Sequence, residues 1–364
     1  MPGVLRYNSF ARKNKANIKK ETGKINNKTK QNMEKEIILN VQNLSKYYKY
    51  YKSVFDIKRD VIKAVDDITF GVFRNEIFAV VGETGCGKST LAKLVTGLIN
   101  KTSGDIYYDG ELLDYKDKKK NFRKKIQIVF QDPYSSLNPK KKIYKIISYP
   151  AVKNNIIKKR DRLDFAASLL KNVGLSEEIL NSYPYELSGG QRQRVGIARS
   201  LSVSPELLIL DEPVSALDMS ISAQVLNLLM DLQARDKMSY IFITHDLKIV
   251  RHIADRVCVM YGGKIMEISP SQDFFKEPAH PYSNILYNSM LPYNFKKQLN
   301  FTGLNGKNAG LGLISKEKGI EKGCVYFKKC YASKEICEKN EPPLKDVGNN
   351  RMASCFFPFT HPGL

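Results

Sequence analysis

The segment GETGCGKST, Gly82 to Thr90, constrains the fold of this 364-residue chain more than any other feature. It follows the apolar run Ile77–Val81 and precedes a stretch with helical spacing. Its glycines let the backbone curl so that successive N–H groups face one anion, and the following helix adds about half a positive charge at its N-terminus. A strand, a glycine-rich turn and a helix in this order predict a phosphate-binding loop.

The side chains of this loop predict a nucleotide triphosphate with Mg²⁺ as the ligand. Lys88 is placed to reach the β- and γ-phosphates, and Ser89 to offer its hydroxyl to the metal. The predicted nucleotide-binding residues of the loop are Gly82, Glu83, Thr84, Gly85, Cys86, Gly87, Lys88, Ser89 and Thr90.

A second motif, LLILDE at Leu207 to Glu212, is an apolar run that ends in two acids. Such a run predicts a buried strand that delivers carboxylates to the ligand-binding edge of a parallel sheet. Asp211 is predicted to hold Mg²⁺, directly or through water, and Glu212 to polarise the attacking water. Together with the loop, the motif predicts a nucleotide hydrolase.

A third motif, LSGGQRQR at Leu187 to Arg194, offers a second anion-binding helix N-terminus at Ser188, Gly189 and Gly190. The same residues would also serve as an ordinary N-cap and turn. A chain with two phosphate cradles and one nucleotide needs a second chain to use both, so the motif predicts a shared site.

Through these three motifs in combination, residues 37–280 resemble an ATP-binding cassette (ABC) ATPase. The resemblance implies that Gln131, in IVFQDP, senses Mg²⁺ and couples to membrane subunits. It implies that His245, in FITHD, contacts the γ-phosphate and keeps water, Glu212 and phosphate aligned. Tyr48, in LSKYYK, matches the aromatic that stacks on adenine, with Tyr47 as the alternative.

The implied mechanism is a dimer in which each ATP lies between the glycine-rich loop of one subunit and the LSGGQ segment of the other. The implied catalytic residues are Glu212, His245 and Gln131. The implied Mg²⁺ ligands are Ser89, Gln131 and Asp211. The residues implied to face the opposite subunit's nucleotide or surface are Ser188, Gly189, Gly190, Gln191 and, in SALD, Asp218.

The pattern of short apolar runs and helical stretches predicts an α/β fold with a largely parallel sheet. An antiparallel β layer lies beside it, and a helical subdomain is inserted at about residues 140–200. Helices are predicted from Ser220 and over Asp246–Ala254. The predicted strands are Ile37–Val41, Ile68–Phe73, Ile77–Val81, Ile126–Phe130, Leu207–Leu210, Tyr240–Thr244 and Val257–Tyr261.

Two segments flank the predicted ATPase domain of residues 37–280. Residues 1–36 carry ten Lys and Arg against three Glu and lack apolar periodicity, which predicts a disordered basic tail. Residues 281–364 are predicted to form a small Cys-rich C-terminal extension, after a Gly- and Asn-rich linker at Asn300 to Gly312.

Four cysteines of that extension, Cys324, Cys330, Cys337 and Cys355, could enclose a tetrahedral zinc ion or a four-iron cluster. Their spacing resembles the cysteine tail of peptide-importer ATPases, for which a [4Fe–4S] cluster is the implied ligand. Tyr331 and Asn350 stand where that tail commonly has Pro and His. Zinc and a metal-free set of reduced thiols remain the alternatives.

Three phrases are similar to the ATPases of oligopeptide, dipeptide and nickel importers: QDPYSSLNP, DEPVSALDMSISAQVLNLL and HPYSNIL. The long stretch from Tyr48 to Ala64 resembles the F-type subunit of oligopeptide permeases. The resemblance implies a homologous D-type ATPase, two transmembrane permease subunits and an extracytoplasmic peptide-binding protein as partners. The expected function is ATP-driven oligopeptide import, with dipeptides or nickel as alternative substrates.

The net charge of +22 is also compatible with a nucleic-acid or ribosome-associated ATPase, which is a further alternative. The basic residues are not interleaved with an aromatic stacking platform, so no nucleic-acid partner is expected. No apolar run approaches the ~20 residues of a membrane helix. The chain is therefore expected at the cytoplasmic face of the cell membrane as a peripheral subunit.

Overall fold

The computed structural model describes residues 36–50, 60–115, 117, 121–290 and 323–359. All described residues except Glu36 and Ile37 belong to one unit of the chain, Ile38–Leu364. Three sequence-based predictions lie wholly or largely outside the described residues. They concern the basic tail, the long stretch after Tyr48 and the Gly- and Asn-rich linker.

The larger sheet has eight strands in the order β11-β12-β10-β9-β3-β8-β7-β6. Five neighbouring strands, β6, β7, β8, β3 and β9, run parallel, and the other three are antiparallel. The eight strands are β3 Ile77–Val81, β6 Ile126–Val129, β7 Leu207–Asp211, β8 Ser239–Ile243, β9 Arg256–Tyr261, β10 Lys264–Pro270, β11 Lys345–Gly348 and β12 Arg351–Ala353.

The three central strands β3, β7 and β8 are buried at every position. Their sequences are nearly continuous runs of Val, Ile, Leu and Phe, as expected for parallel strands covered on both faces. Because the strands are parallel, β3, β6, β7 and β8 all end at one edge of the sheet. That edge carries the glycine-rich loop after β3 and the Asp211–Glu212 pair at the end of β7.

A smaller sheet of four strands has the order β2-β1-β4-β5. It confirms the predicted β layer, and strand β4 pairs antiparallel with both of its neighbours. A shared hydrophobic cluster joins it to the larger sheet and includes Leu39, Phe70 and Phe78. The four strands are β1 Ile37–Tyr50, β2 Asp60–Phe73, β4 Ser103–Tyr108 and β5 Glu111–Leu112.

Helices surround the larger sheet, and the region from Ile143 to Leu201 contains helices without a strand. None of the helices in the described ranges has the length and hydropathy of a membrane-spanning segment. The α-helices are α1 Lys88–Val95, α2 Phe122–Lys125, α3 Pro133–Ser136, α4 Ile143–Lys153, α5 Arg162–Asn172, α6 Gly189–Leu201, α7 Met219–Asp236, α8 Leu247–Ile253, α9 Ser271–Lys276, α10 Pro281–Ser289 and α11 Glu335–Lys339.

The predicted strands all exist, although several of their bounds were wrong. Strand β3 has the predicted bounds, whereas β1 and β2 are each 14 residues long and extend well beyond the predicted runs. Strands β4, β5, β10, β11 and β12 were not predicted, because their apolar residues are interrupted by polar ones or the strands are very short. Helices α7 and α8 lie where the periodicity placed them.

The C-terminal residues are not a separate appendage, since β12 pairs with β10 of the larger sheet. Glu267 faces Ala353 and Ile268 faces Met352 in this antiparallel register. The Gly262 turn also packs against the segment, because a Cβ there would lie 2.7 Å from Val325 Cγ2. Residues 323–359 therefore extend the sheet that carries the glycine-rich loop.

Candidate functional site

The glycine-rich loop between β3 and α1 depends on glycine at two tightly enclosed positions. Gly82 and Gly87 have φ angles of 151° and 112°, which side chains rarely adopt. A Cβ on Gly82 would lie 2.2 Å from the carbonyl oxygen of Met260, and one on Gly87 would lie 2.1 Å from that of Ala64. The loop can therefore curl only because these positions lack side chains.

Lys88 is the buried cation of the loop, with only 5% of its surface exposed. Its Nζ donates hydrogen bonds to the carbonyl oxygens of Gly82 at 2.8 Å and Glu83 at 3.0 Å. A buried ammonium needs such acceptors, because an unpaired one would be strongly destabilising. The phosphates of a nucleotide are the ligand chemistry that could replace them.

Ser89 and Asp211 meet at the edge of the sheet, where the Ser89 hydroxyl donates to Asp211 Oδ1 at 3.0 Å. Burial raises the pKa of Asp211 above its ordinary value, and the nearby Glu212 carboxylate adds to that shift. A bound cation would offset both effects. The hydroxyl and carboxylate oxygens are ligands that Mg²⁺ prefers.

The Glu212 carboxylate lies between the side chains of Gln131 and His245. Gln131 Nε2 donates to Glu212 Oε2 at 2.9 Å, and His245 Nδ1 lies 3.3 Å from Glu212 Oε1. Glu212 itself has a left-handed backbone, with φ of 49°, and its N–H donates to the Ile243 carbonyl oxygen. That turn holds the carboxylate at the ends of β6, β7 and β8.

The LSGGQ segment begins helix α6 with a capping box. Ser188 Oγ accepts from the Gln191 backbone N–H at 3.3 Å, and Gln191 Oε1 accepts from the Ser188 N–H at 2.9 Å. Gly190 lies against Ile221, since a Cβ there would be 2.4 Å from Ile221 Cγ2. Within one chain, the motif therefore acts as the N-cap that the sequence also allowed.

Asp218, predicted to contact the opposite subunit, is the N-cap of α7. Its Oδ1 accepts from the Ile221 N–H at 2.9 Å. The residue therefore has a structural role within the chain.

The two candidate adenine-stacking tyrosines have different surroundings. The Tyr47 hydroxyl donates to the buried Asp66 carboxylate, which also pairs with Lys264 at 3.0 Å. Tyr48 is 40% exposed, with the Lys46 ammonium 5.0 Å from its ring centroid. Tyr48 is therefore the more exposed of the two rings, and Tyr47 is the one held by a side-chain hydrogen bond.

Comparison with known proteins decides the family. Residues 65–215 match the ABC transporter family model, and residues 266–337 match the model of the oligopeptide/dipeptide transporter C-terminal region. The chain is 41% identical to the dipeptide transport ATP-binding protein DppF of Haemophilus influenzae, over 88% of this chain and 96% of that protein. It is 40% identical to the oligopeptide transport ATP-binding protein AppF of Bacillus subtilis, over 88% and 97%.

The chain belongs to the ABC transporter ATP-binding subunits of the dipeptide and oligopeptide group. This ABC ATPase also resembles solved cassettes. The dimeric post-hydrolysis structure of the ATP-binding cassette MJ0796 bound to ADP and Pi is 28% identical and covers 64% of this chain and 98% of its own, with a TM-score of 0.57. The structure of cbiO1 from Clostridium perfringens is 30% identical over 72% and 98%, also with a TM-score of 0.57.

The four C-terminal cysteines of this ABC ATPase line one small cavity, together with His280 and Tyr326. We refer to it as the cysteine cavity. Its volume is about 10 Å³, room for about one water molecule. Burial raises the pKa of the Cys330 thiol to about 11. Among the described residues, no group of three or more His, Cys, Asp or Glu side chains is placed to hold a metal ion.

The predicted iron–sulfur ligands therefore share a cavity but do not form a metal site as they are placed. All six cysteines are free thiols. A further residue, which no sequence motif indicated, contacts the glycine-rich loop: the Tyr282 hydroxyl accepts a hydrogen bond from the Glu83 N–H at 3.2 Å. The segment HPYSNIL contains Tyr282, but it was used only to indicate the subclass of importer ATPase. No local sequence pattern reveals a contact between residues 199 positions apart.

The contrast between the two tyrosines predicts their effects on nucleotide binding. Tyr48→Ala should raise the Kd for MgATP about tenfold, because base–aromatic stacking contributes about 1–3 kcal/mol. Tyr48→Phe keeps the ring and should bind nearly as well as the wild type. Tyr47→Phe, the matched control, should lower thermal stability and leave the Kd unchanged. Wild-type affinity in Tyr48→Ala, measured by calorimetry, would exclude the stacking role.

Proposed function

We propose that this ABC ATPase hydrolyses ATP at a subunit interface to power oligopeptide import through a permease that the chain does not itself contain. The proposal gains support from relatives named as dipeptide and oligopeptide transport ATP-binding proteins. The structural observation that carries it is the Glu212 carboxylate held between Gln131 and His245.

In this mechanism Glu212 accepts the proton of the water that attacks the γ-phosphorus. Gln131 contacts one oxygen of the Glu212 carboxylate and His245 contacts the other. The two contacts together fix the orientation of the carboxylate towards the attacking water. Lys88 exchanges its loop carbonyls for phosphate oxygens and stabilises the charge that develops on them. Ser89, Asp211 and Gln131 would hold Mg²⁺, which supplies further charge neutralisation when bound.

The second half of each nucleotide site comes from another subunit in this proposal. The N-terminus of α6, with Ser188, Gly189, Gly190 and Gln191, would present its positive dipole end to the nucleotide held by the opposite loop. Asp218 would lie at the same interface. ATP would bridge the subunits, and hydrolysis would remove that bridge.

Replacing the proposed base tests the chemistry. Glu212→Gln should lower the steady-state ATPase rate by a factor of about 10²–10⁴ while MgATP still binds, because the amide keeps the shape but accepts no proton. Glu206→Gln is the matched control at the opposite end of β7. It should lose its ion pairs with Arg74 and Lys125 but keep turnover. Undiminished turnover in Glu212→Gln would refute the role.

Purification from membranes tests the assembly. The tagged chain should co-purify with two permease proteins and a different, homologous D-type ATPase at the cytoplasmic face of the membrane. Its ATPase activity should rise with a peptide-loaded extracytoplasmic binding protein. Stimulation by dipeptides or nickel instead would identify one of those alternatives as the transported substrate. Stimulation by nucleic acid or ribosomes would overturn the transport proposal.

We further propose that the four cysteine thiols bind a [4Fe–4S] cluster. Their convergence on one cavity supports a shared ligand, and thiolate is the donor that such clusters use. The cavity is too small for a cluster as it stands, so binding requires the thiols to move apart. Because burial keeps Cys330 protonated at neutral pH, binding must also release protons.

Elemental analysis of anaerobically purified protein tests this ligand. We expect about four iron and four sulfide per chain and the visible absorption of a cluster, both lost in Cys355→Ser. Cys258→Ala, which removes a core cysteine outside the cavity, should retain them. Stoichiometric zinc, or protein free of metal after anaerobic purification, would overturn the iron–sulfur assignment.

A further inference from the structure

The start of helix α10 touches both the glycine-rich loop and the cysteine cavity. Tyr282 lies in the first turn of α10 and is 1% exposed. Its hydroxyl accepts from the Glu83 N–H, and its ring centroid lies 5.1 Å from that of Tyr326, which lines the cavity. A single side chain therefore spans the distance between the two sites.

Two sets of hydrogen bonds fix the position of Tyr282. His280 caps the helix, because its Nδ1 accepts from the Tyr282 N–H at 3.0 Å. The backbone of Ser354, next to Cys355, also hydrogen bonds the His280 ring. Burial lowers the pKa of His280 to about 4, so the ring is neutral and Nδ1 remains an acceptor.

A fully buried carboxylate anchors the turn that precedes the helix. Glu267 on β10 accepts from the N–H groups of Ala279 at 3.0 Å and His280 at 2.9 Å. The Ser269 hydroxyl donates to the same carboxylate at 2.7 Å. A charge with several donors in a buried site fixes its partners firmly, so the turn has little freedom to move.

Three tyrosine rings fill the space behind the loop. The centroids of Tyr261 and Tyr282 lie 4.8 Å apart, and those of Tyr261 and Tyr326 lie 5.1 Å apart. Each ring is therefore in contact with the other two. Such aromatic packing contributes beyond area burial and is sensitive to the removal of one member.

The loop peptide at Glu83 is held from both sides. Its N–H donates to Tyr282, and its carbonyl oxygen accepts from the Lys88 ammonium at 3.0 Å. When Lys88 turns to a phosphate, the second of these contacts is lost. The Glu83 carbonyl oxygen then keeps its hydrogen bond from the Cys86 N–H at 3.2 Å, and the Tyr282 hydroxyl is the side-chain group that still holds the Glu83 N–H.

We propose that Tyr282 is a positioning residue for the glycine-rich loop, and that Tyr326 couples residues 323–359 to the affinity of that loop for ATP. This inference rests on the proposed ATP site. It gives the C-terminal segment a role in nucleotide binding that is independent of what the cysteines bind. Because the coupling free energy between two sites is reciprocal, nucleotide binding should in turn stabilise residues 323–359.

Removing one hydroxyl tests the first half of the proposal. In the full-length chain, Tyr282→Phe should raise the Kd for a non-hydrolysable MgATP analogue about 3- to 10-fold, as expected when one hydrogen bond to a part-buried N–H is lost. The KM for ATP should rise by a similar factor with a smaller change in kcat. Calorimetry and steady-state kinetics give the two readouts.

Tyr240→Phe is the matched control. Tyr240 is also 1% exposed, and its hydroxyl donates to the Leu229 carbonyl oxygen at 2.9 Å in the opposite part of the core. Both variants should lose thermal stability, but Tyr240→Phe should keep the wild-type Kd. Equal Kd values for all three proteins would show that Tyr282 is merely structural, which overturns the proposal. Failure of the wild type to bind the analogue would overturn the ATP site itself.

A double-mutant cycle tests the coupling through Tyr326. Tyr326→Leu removes the ring that contacts Tyr282 and touches no residue of the loop directly in the described contacts. It should weaken nucleotide binding in the same direction. The increase in Kd of the double variant should be smaller than the product of the two single increases, because both substitutions act through the Glu83 contact. Wild-type affinity in Tyr326→Leu, or strictly multiplicative effects, would contradict the coupling.

Discussion

The Lys88 ammonium is the charge around which the nucleotide edge of this structure is organised. It is almost fully buried, so it requires oxygen partners, and the Gly82 and Glu83 carbonyls supply them. Those carbonyls can converge on it only because the loop curls against the backbone of Met260. The buried parallel strands then bring the Asp211 and Glu212 carboxylates to the same edge. A triphosphate fits this arrangement because it can replace the carbonyls as the partner of the cation.

The features predicted from the sequence are those set by local pattern and by the geometry of parallel strands. Strand β3 was predicted with its observed bounds, because an unbroken apolar run ends there in glycine. The contacts of Glu212 with Gln131 and His245 were not predicted as such, but they are explained by the places of the three residues just after strands whose ends share one edge. The resemblance to ABC ATPases identified these three residues as the implied catalytic set, and the structure shows their contacts.

Features that depend on contacts distant in sequence were not predictable in the same way. Strand β12 is three residues long and exists because β10 offers it a partner. The Glu83–Tyr282 contact joins residues 199 positions apart in the sequence, and no spacing rule indicates it. The different surroundings of Tyr47 and Tyr48 were likewise not predictable, since the Asp66 contact of Tyr47 joins residues on different strands. Long-range packing, which periodicity does not encode, decides each case.

The account as a whole depends on one nucleotide pocket being completed by two subunits, since α6 is only a capped helix within one chain. The most direct measurement is a cryo-EM structure of the chain with its partner ATPase, Mg²⁺ and a non-hydrolysable ATP analogue. The account predicts a triphosphate in contact with Lys88, and Ser188 in contact with the nucleotide held by the partner's loop. A triphosphate away from Lys88, or a Ser188 segment that faces solvent in the closed assembly, would contradict it.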